Sequence, residues 1–197
     1  ALNEVFVPLL QHTGCEAEPL VTISQRVRKG DLLAGLPGDV LVGNPDEAGG
    51  APIHAPTSGT VSAIVRHLVS HPAGTEGRCI VIKPDGLDQW TSLHPVEDWR
   101  QADPAALRQA ISSAGIVGLG GAVFPTGIKV REASKRGIHT LILNGAECEP
   151  YISCDEMLMR EQPASIVLGA QILQRAVGAS RTVIAIEDQM GAVHQAL

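Results

Sequence analysis

Two hydrophobic rhythms divide the chain. In VTISQRVRKGDLLA, Val21 to Ala34, apolar and polar residues alternate on either side of Lys29-Gly30-Asp31, which predicts a strand, a turn and a second strand. A connection rich in Gly, Pro and Asp follows. APIHAPTSGTVSAIV and CIVIKPDG then supply further strands. From about residue 100 the period lengthens. Asp103-Pro104 reads as an N-cap with proline in the first turn, opening a helix over Ala105 to Ala114 that Gly115 closes. Thr140 to Leu143 is a short apolar run, read as a buried parallel strand. Ser153 or Asp155 can cap a short helix. Pro163 starts a longer helix, from about Ala164 to Val177, that ends at Gly178. Arg181 to Ile186 is the next buried strand, and another helix begins near Gly191. Strand–helix–strand spacing of this length implies a right-handed parallel βαβ unit, whose ligands bind beyond the strand C-termini. The segments Asn144 to Glu149 and Glu187-Asp188 both emerge at that edge. The reading is therefore an all-β domain at 1–98 and an α/β domain at 99–197.

Composition narrows the function classes. A hydrophobic fraction of 44% supplies a core, and with only 3% aromatic residues aliphatic packing must dominate it. The net charge of −6 and the pI near 5.6 argue against a nucleic-acid binder, for which a basic face is expected. The acidity sits in the first 100 residues, with 7 basic against 12 acidic side chains, while the remainder holds 8 against 9. No segment approaches the roughly 18 continuous apolar residues of a membrane span. The start, ALNEVFVPLL, lacks a basic n-region and is not read as a secretory signal.

Candidate chemistry concentrates in GIVGLGGAVFPTGIK, Gly115 to Lys129, which holds glycines 115, 118, 120, 121 and 127 and closes on a lysine. Such a loop can press backbone N–H groups against a phosphate, with a cation nearby. Lys129, Arg131, Lys135 and Arg136 cluster here. Carboxylates return 18 residues beyond Lys129 in NGAECEP, Asn144 to Pro150, as Glu147 and Glu149. A phosphate cradle followed by hydroxyl-holding acids suits a nucleotide-like cofactor. The dinucleotide fingerprint is not met, because Val123 stands at the sixth place. A P-loop is excluded by the absence of Gly-Lys-Ser/Thr. A glycine-rich connection that binds nothing remains the alternative at this level.

The cysteines at 15, 79, 148 and 154 form no CxxC run, so neither a zinc ribbon nor a local iron–sulfur motif can be built. Small thiols in a reducing compartment are the favoured reading, with no metal ligand assigned. His54, His67 and His71 are read as structural or solvated.

GLGGAVFPTGIK resembles the GRGGAGFPTG-type loop that binds FMN in the NADH-oxidising flavoprotein subunit of respiratory complex I, and NGAECEP resembles that protein's NADEGEP segment. GIVGLGGAVFPT followed by NGAECEPYI is closer still to the C subunit of the bacterial Rnf electron-transport complexes, as are HAPTSGTV, LMRE and IEDQ. The front domain is similar to the barrel-sandwich of lipoyl and biotinyl carriers. No lysine stands between Lys29 and Lys83, which excludes covalent carrier function.

The resemblance implies an N-terminal barrel-sandwich domain followed by a truncated Rossmann-like flavin domain. It implies an NADH-dependent oxidoreductase subunit that passes electrons from NADH through FMN to iron–sulfur clusters, coupled to ion translocation, and inactive as this piece alone. Two four-iron clusters are expected beyond Leu197. The implied location is the cytoplasmic face of the inner membrane, peripheral, beside the complex's other subunits and ferredoxin. By the same resemblance, Gly118, Gly120, Gly121 and Ala122 present backbone to FMN. Lys129 supplies positive charge, Thr126 a hydroxyl and Asn144 a hydrogen-bonding amide. Glu147 and Glu149 lie near the flavin and the nicotinamide ribose, and Phe124 stacks on adenine. Leu119 and Ala146 depart from the complex I pattern, where arginine and aspartate stand, and each departure removes a polar contact. A cofactor-free scaffold and the quinone-reductase component (the A subunit) of the sodium-pumping NADH dehydrogenase are the competing readings. The intact glycine loop argues against the latter.

Overall fold

A computed structural model describes residues 3–36, 49–71 and 73–197. The Gly-, Pro- and Asp-rich connection at 37–48 and Pro72 lie outside the described residues. The chain divides into two compact units, Ala1–Pro95 with Ile111–Gly127, and Val96–Ala110 with Ile128–Leu197.

The first unit is built on two antiparallel sheets. One has the order β1 (Val5–Pro8), β7 (Glu76–Pro84), β6 (Gly59–Leu68), β3 (Arg26–Val27); the other runs β2 (Glu18–Pro19), β4 (Leu32–Gly35), β5 (Ile53–His54). The β6–β7 hairpin pairs from Gly59 opposite Pro84 to Leu68 opposite Glu76, with a register shift between Val61 and Ala63. Leu9, Leu33, Val61, Ile80 and Ile82 are wholly buried in the core of this unit. Strand β7 lies between β1 and β6, and its run Cys79–Ile82 is buried without alternation. A central strand covered on both faces reads this way.

Less of VTISQRV is strand than its alternation predicts. Ser24 takes a positive φ of 72°, and the Gln25 side chain accepts a hydrogen bond from the Thr22 N–H at 2.9 Å. This local side-chain turn bends the segment: the Ser24 N–H still donates to the Val61 carbonyl at 2.8 Å and the Gln25 carbonyl accepts the Val61 N–H at 2.9 Å, but only Arg26–Val27 pairs as regular strand. The turn at Lys29-Gly30-Asp31 forms as expected. Gly30 has φ +87°, and the Asp31 carboxylate accepts the Arg28 N–H at 2.6 Å.

Helix α1 (Pro104–Ser113) starts as the sequence predicts, with the Asp103 carboxylate accepting the Ala105 N–H at 3.0 Å. It ends at Gly115, whose φ of +67° suits glycine, and a Cβ there would lie 2.4 Å from the Pro52 carbonyl oxygen. Helix α2 (Thr126–Arg136) was not legible in the sequence. Val130 is its one buried residue, so no apolar stripe of helical period shows.

In the second unit, β8 (Thr140–Asn144) and β9 (Arg181–Ala185) pair in parallel, Thr140 opposite Arg181 through Asn144 opposite Ala185. Helices α3 (Cys154–Glu161) and α4 (Pro163–Val177) lie between them in sequence, and α5 (Gly191–Ala196) follows. Gly178 closes α4 in the left-handed conformation, φ 72°. The described sheet holds these two strands; a fuller parallel sheet of Rossmann type is not seen. Met159, Met190 and Val193 form one buried cluster, with Ile166, Ile184 and Ile186 packed around it.

Candidate functional site

The glycine loop is a pinched, solvent-facing turn in the first unit. Val117 and Pro125 bridge its base. The Gly118 N–H donates to the Phe124 carbonyl at 2.8 Å, Val123 N–H to the Gly120 carbonyl at 2.9 Å, and Thr126 N–H to the Ile116 carbonyl at 2.9 Å. The Thr13 hydroxyl donates to the Ala122 carbonyl. Among the described residues, no hydrogen bond engages the N–H groups of Leu119, Gly120, Gly121 or Ala122, and all four residues are exposed. Four successive backbone donors are thus left available to a ligand. A Cβ added at Gly121 would meet nothing within 4 Å, so glycine here leaves space beside the backbone rather than avoiding a clash. Val123 carries the loop's backbone strain, with φ 45°, a conformation β-branched residues rarely adopt. Strain of this kind collects at functional sites. Leu119, in place of the complex I arginine, is 86% exposed and offers no charge.

Thr126 opens α2, and Lys129 follows within its first turn, exposed. The rest of the basic cluster is partly neutralised. Lys135 lies 3.0 Å and Arg131 3.7 Å from the Glu132 carboxylate. The hydrogen bond from Lys135, then the charges of Lys135, Arg131 and Arg136, hold Glu132 below its ordinary range. Sequence reasoning gives Glu132 no part, although its i+3 spacing to Lys135 is visible.

The acidic turn belongs to the second unit and leaves the C-terminal end of β8. Asn144 folds its side-chain oxygen back onto the Ala146 N–H at 3.3 Å. Gly145 donates its N–H to the Ala185 carbonyl at 2.8 Å, and a Cβ there would lie 2.8 Å from the Met159 sulfur. Glycine therefore lets α3 approach the strand end. Glu147 does more than face a ligand. Its Oε1 accepts the N–H groups of Asp155 at 2.8 Å and Glu156 at 3.0 Å, capping α3 from outside the helix. Ser153, one of the two residues expected to cap this helix, makes no side-chain bond to it. The Glu147 N–H is in turn held by the Glu187 carboxylate at 2.9 Å. Glu149 is exposed.

Glu147, Cys154 and Asp155 bring three donor atoms within 4.8 Å of one another. Two backbone N–H groups already occupy Glu147 Oε1, so the arrangement is a helix cap. Desolvation, followed by the negative charges of Glu147 and Asp155, pushes the Cys154 thiol up. A cavity of about 290 Å³ lies behind the turn, walled by Leu143, Asn144, Gly145, Leu158, Ile166 and Leu173.

The barrel residues singled out in the sequence have structural contacts. Lys29 pairs with Asp88 at 2.7 Å and lies 4.9 Å over the Trp90 ring. His54 is half-buried, and burial lowers its pKa. His67 stacks on Phe6 at 3.9 Å between ring centroids. The buried histidine that sequence reasoning misses is His12, whose Nε2 accepts the Ala51 N–H at 2.9 Å.

Comparison with known proteins matches two stretches that together span most of the chain, the second of which begins within the first unit. Residues 1–87 match the family model described as the RnfC barrel sandwich hybrid domain, and residues 111–197 match the Nuo51 FMN-binding domain. The C subunit of the "ion-translocating oxidoreductase complex" of Pseudomonas aeruginosa PAO1 is 46% identical over 183 residues, covering 93% of this chain and 22% of that protein. Its counterpart in Serratia proteamaculans is 44% identical over 186 residues, covering 94% and 25%. In Haemophilus influenzae PittEE the identity is 41% over 186 residues, covering 94% and 27%. The chain thus spans about a quarter of the length of these curated relatives. Together, the two matches define a barrel-sandwich domain joined to an FMN-binding domain of the Nuo51 kind. Over 93–94% of its length the chain is similar to the C subunits of ion-translocating oxidoreductase, or Rnf, complexes. No helix among the described residues is long and apolar enough to cross a membrane.

Proposed function

We propose that this chain supplies the flavin-holding part of an electron-transport subunit, with FMN bound through the glycine loop. The observation that carries this reading is the run of unengaged N–H groups at Leu119, Gly120, Gly121 and Ala122, within the stretch matched by the FMN-binding domain. The donor set suits a phosphomonoester: backbone N–H groups for its oxygens, the Thr126 hydroxyl at the start of a helix, and the Lys129 ammonium as countercharge. Bound flavin supplies the exchange between two-electron and one-electron chemistry. The chain's own residues bind, orient and exclude water. Gly118 fixes the loop's base through its bond to Phe124. Asn144 offers an amide to the ribityl chain, Glu149 offers carboxylate oxygens to ribose hydroxyls, and Glu147, whose Oε2 accepts the Cys154 thiol at 3.7 Å, is assigned the same use. Phe124 is assigned to the adenine of a dinucleotide donor.

In the whole protein, the reading extends to NADH as electron donor, iron–sulfur clusters beyond this segment as acceptors, and ion translocation by membrane partners. It places the protein peripherally at the cytoplasmic face, beside the complex's other subunits and a ferredoxin-like partner. A parallel Rossmann-like sheet, begun by β8 and β9, belongs to the same proposal. So does a functional division near residue 98. The test is titration of the full-length protein with FMN, followed by flavin absorbance. Lys129→Ala is expected to weaken binding about tenfold, as loss of one charge-assisted phosphate contact does. Absence of saturable binding in the wild type would sink the assignment.

A further inference from the structure

Resting on the flavin assignment above, we propose that Thr13 is a positioning residue for the glycine loop. Its hydroxyl fixes the peptide between Ala122 and Val123, and so keeps the neighbouring N–H groups in the arrangement that receives the flavin phosphate. Both segments belong to the first unit, which joins Ala1–Pro95 to Ile111–Gly127. Donor and acceptor stand 109 residues apart in sequence, so the barrel-sandwich portion of the unit reaches the loop through this bond.

The Ala122–Val123 peptide is held at both ends. The Val123 N–H donates to the Gly120 carbonyl at 2.9 Å, which closes the turn from within. The Ala122 carbonyl accepts the Thr13 hydroxyl from outside the loop. The backbone shows why a second hold is needed. Val123 has φ 45°, and a β-branched residue stays there only while its surroundings overdetermine it. Rotation of this peptide relaxes Val123, breaks the Gly120 bond and alters the path of the residues whose N–H groups face solvent. It also leaves the Ala122 carbonyl oxygen, a group that repels phosphate, without its donor.

Thr13 is exposed, yet its backbone is fixed on both sides. His12 before it is buried. The His12 Nε2 accepts the Ala51 N–H at 2.9 Å, which puts the ring proton on Nδ1, and Nδ1 donates to the Thr13 carbonyl at 3.1 Å. Gly14 after it has φ +137°, and a Cβ there would collide with the Gly49 carbonyl, so the chain passes tightly at this point. The Thr13 hydroxyl serves neither neighbour and is spent on the loop. A firm support beneath an exposed hydrogen bond preorganises a binding loop and spares the ligand the cost of ordering it.

The experiment uses the full-length protein, stripped of flavin and retitrated with FMN, as wild type, Thr13→Val and Thr13→Ser. Valine keeps the shape and removes the donor; serine keeps the donor. The flavin-free melting temperature is expected to be level across the three, because the side chain is in solvent and relief of Val123 offsets the lost bond. FMN affinity should fall about three- to tenfold in the valine variant, the worth of one neutral hydrogen bond. The visible circular dichroism of the bound flavin should weaken with it, and serine should restore both. Unchanged affinity in the valine variant overturns the proposal while leaving the flavin assignment intact. A serine variant as weak as valine overturns it too, since the donor is present there. So does a valine variant that melts lower without flavin, which makes the bond part of the fold's stability. A wild type that binds no FMN removes the assignment and this inference together.

Discussion

The two units spend their apolar residues differently. In the barrel-sandwich unit, Val61, Ile80 and Ile82 have no exposed surface. In the α/β unit, Ile142 of β8 is 64% exposed, and the side chains buried there include Met159, Met190 and Val193 in one cluster beside others such as Ala170, Ala176 and Val177. The contrast follows from architecture. Antiparallel hairpins close on themselves and bury one another's inner faces, whereas parallel strands need cover on both faces and neighbours on both edges. The first unit is thus a self-sufficient scaffold, and the second is an open one, with loops and a cavity at its strand ends. Polar groups do not follow that division, since the first unit holds both a satisfied core serine and the open glycine loop. Ser58 is buried and fully used, donating to Asp85 at 2.7 Å and accepting the Gln89 N–H at 2.9 Å. The glycine loop and the acidic turn instead leave donors and acceptors facing solvent.

The largest effect expected of this contrast is on stability. Ile82→Ala should cost about 2–5 kcal/mol in urea unfolding, because it empties a filled core site. Ile142→Ala should cost less than about 1 kcal/mol, because its side chain is mostly in water already. Equal costs would break the comparison. A smaller effect sharpens it. Glu147→Ala should destabilise by about 1 kcal/mol through loss of the α3 cap, while Glu147→Gln, which keeps a carbonyl oxygen, should lose less than half of that. If the two substitutions are equally damaging, the charge rather than the cap matters.

Smallest is a pH effect in the barrel. Burial lowers the pKa of His54 below its ordinary 6.5, so the folded state favours the neutral ring. The unfolded chain then takes up the proton first as pH falls. The contribution of His54 is intact above pH 6.5 and is lost as pH drops through and below it. Asp85 and Asp88, held low chiefly by bonds from Ser58 and Lys29, lose their contributions only below about 3.8, so the two windows separate. His54→Gln should flatten the change in melting temperature between about pH 7.5 and 5.5; an unaltered slope would assign it to other groups.

Much of this was legible from residue types alone. Asp103-Pro104, Pro163 and Gly178 mark helix ends by chemistry that acts within a few residues, and they hold in the structure. The apolar run of β7 could be read because burial leaves a composition signal; β8 and β9 form as strands from their apolar runs, but neither holds a buried residue, so the expectation that they are buried is not met. Helix α2 escaped, since it buries Val130 alone. The shortening of VTISQRV escaped because a single side chain, Gln25, diverts the backbone. In the candidate site, the glycines and carboxylates could be located, but the use of Glu147 as a helix cap depends on a contact eight residues away that no spacing rule announces. Thr13 was silent for a related reason: the carbonyl its hydroxyl holds belongs to a residue 109 positions away.

The central claim, that the glycine loop holds FMN through its backbone, is tested most directly by Gly121→Val in the full-length protein. The added side chain enters open space, so the fold and the flavin-free melting temperature should be unchanged. FMN titration should then show binding weakened by about a hundredfold or lost, because the new side chain occupies ground the phosphate needs. Wild-type affinity in that variant would contradict the account.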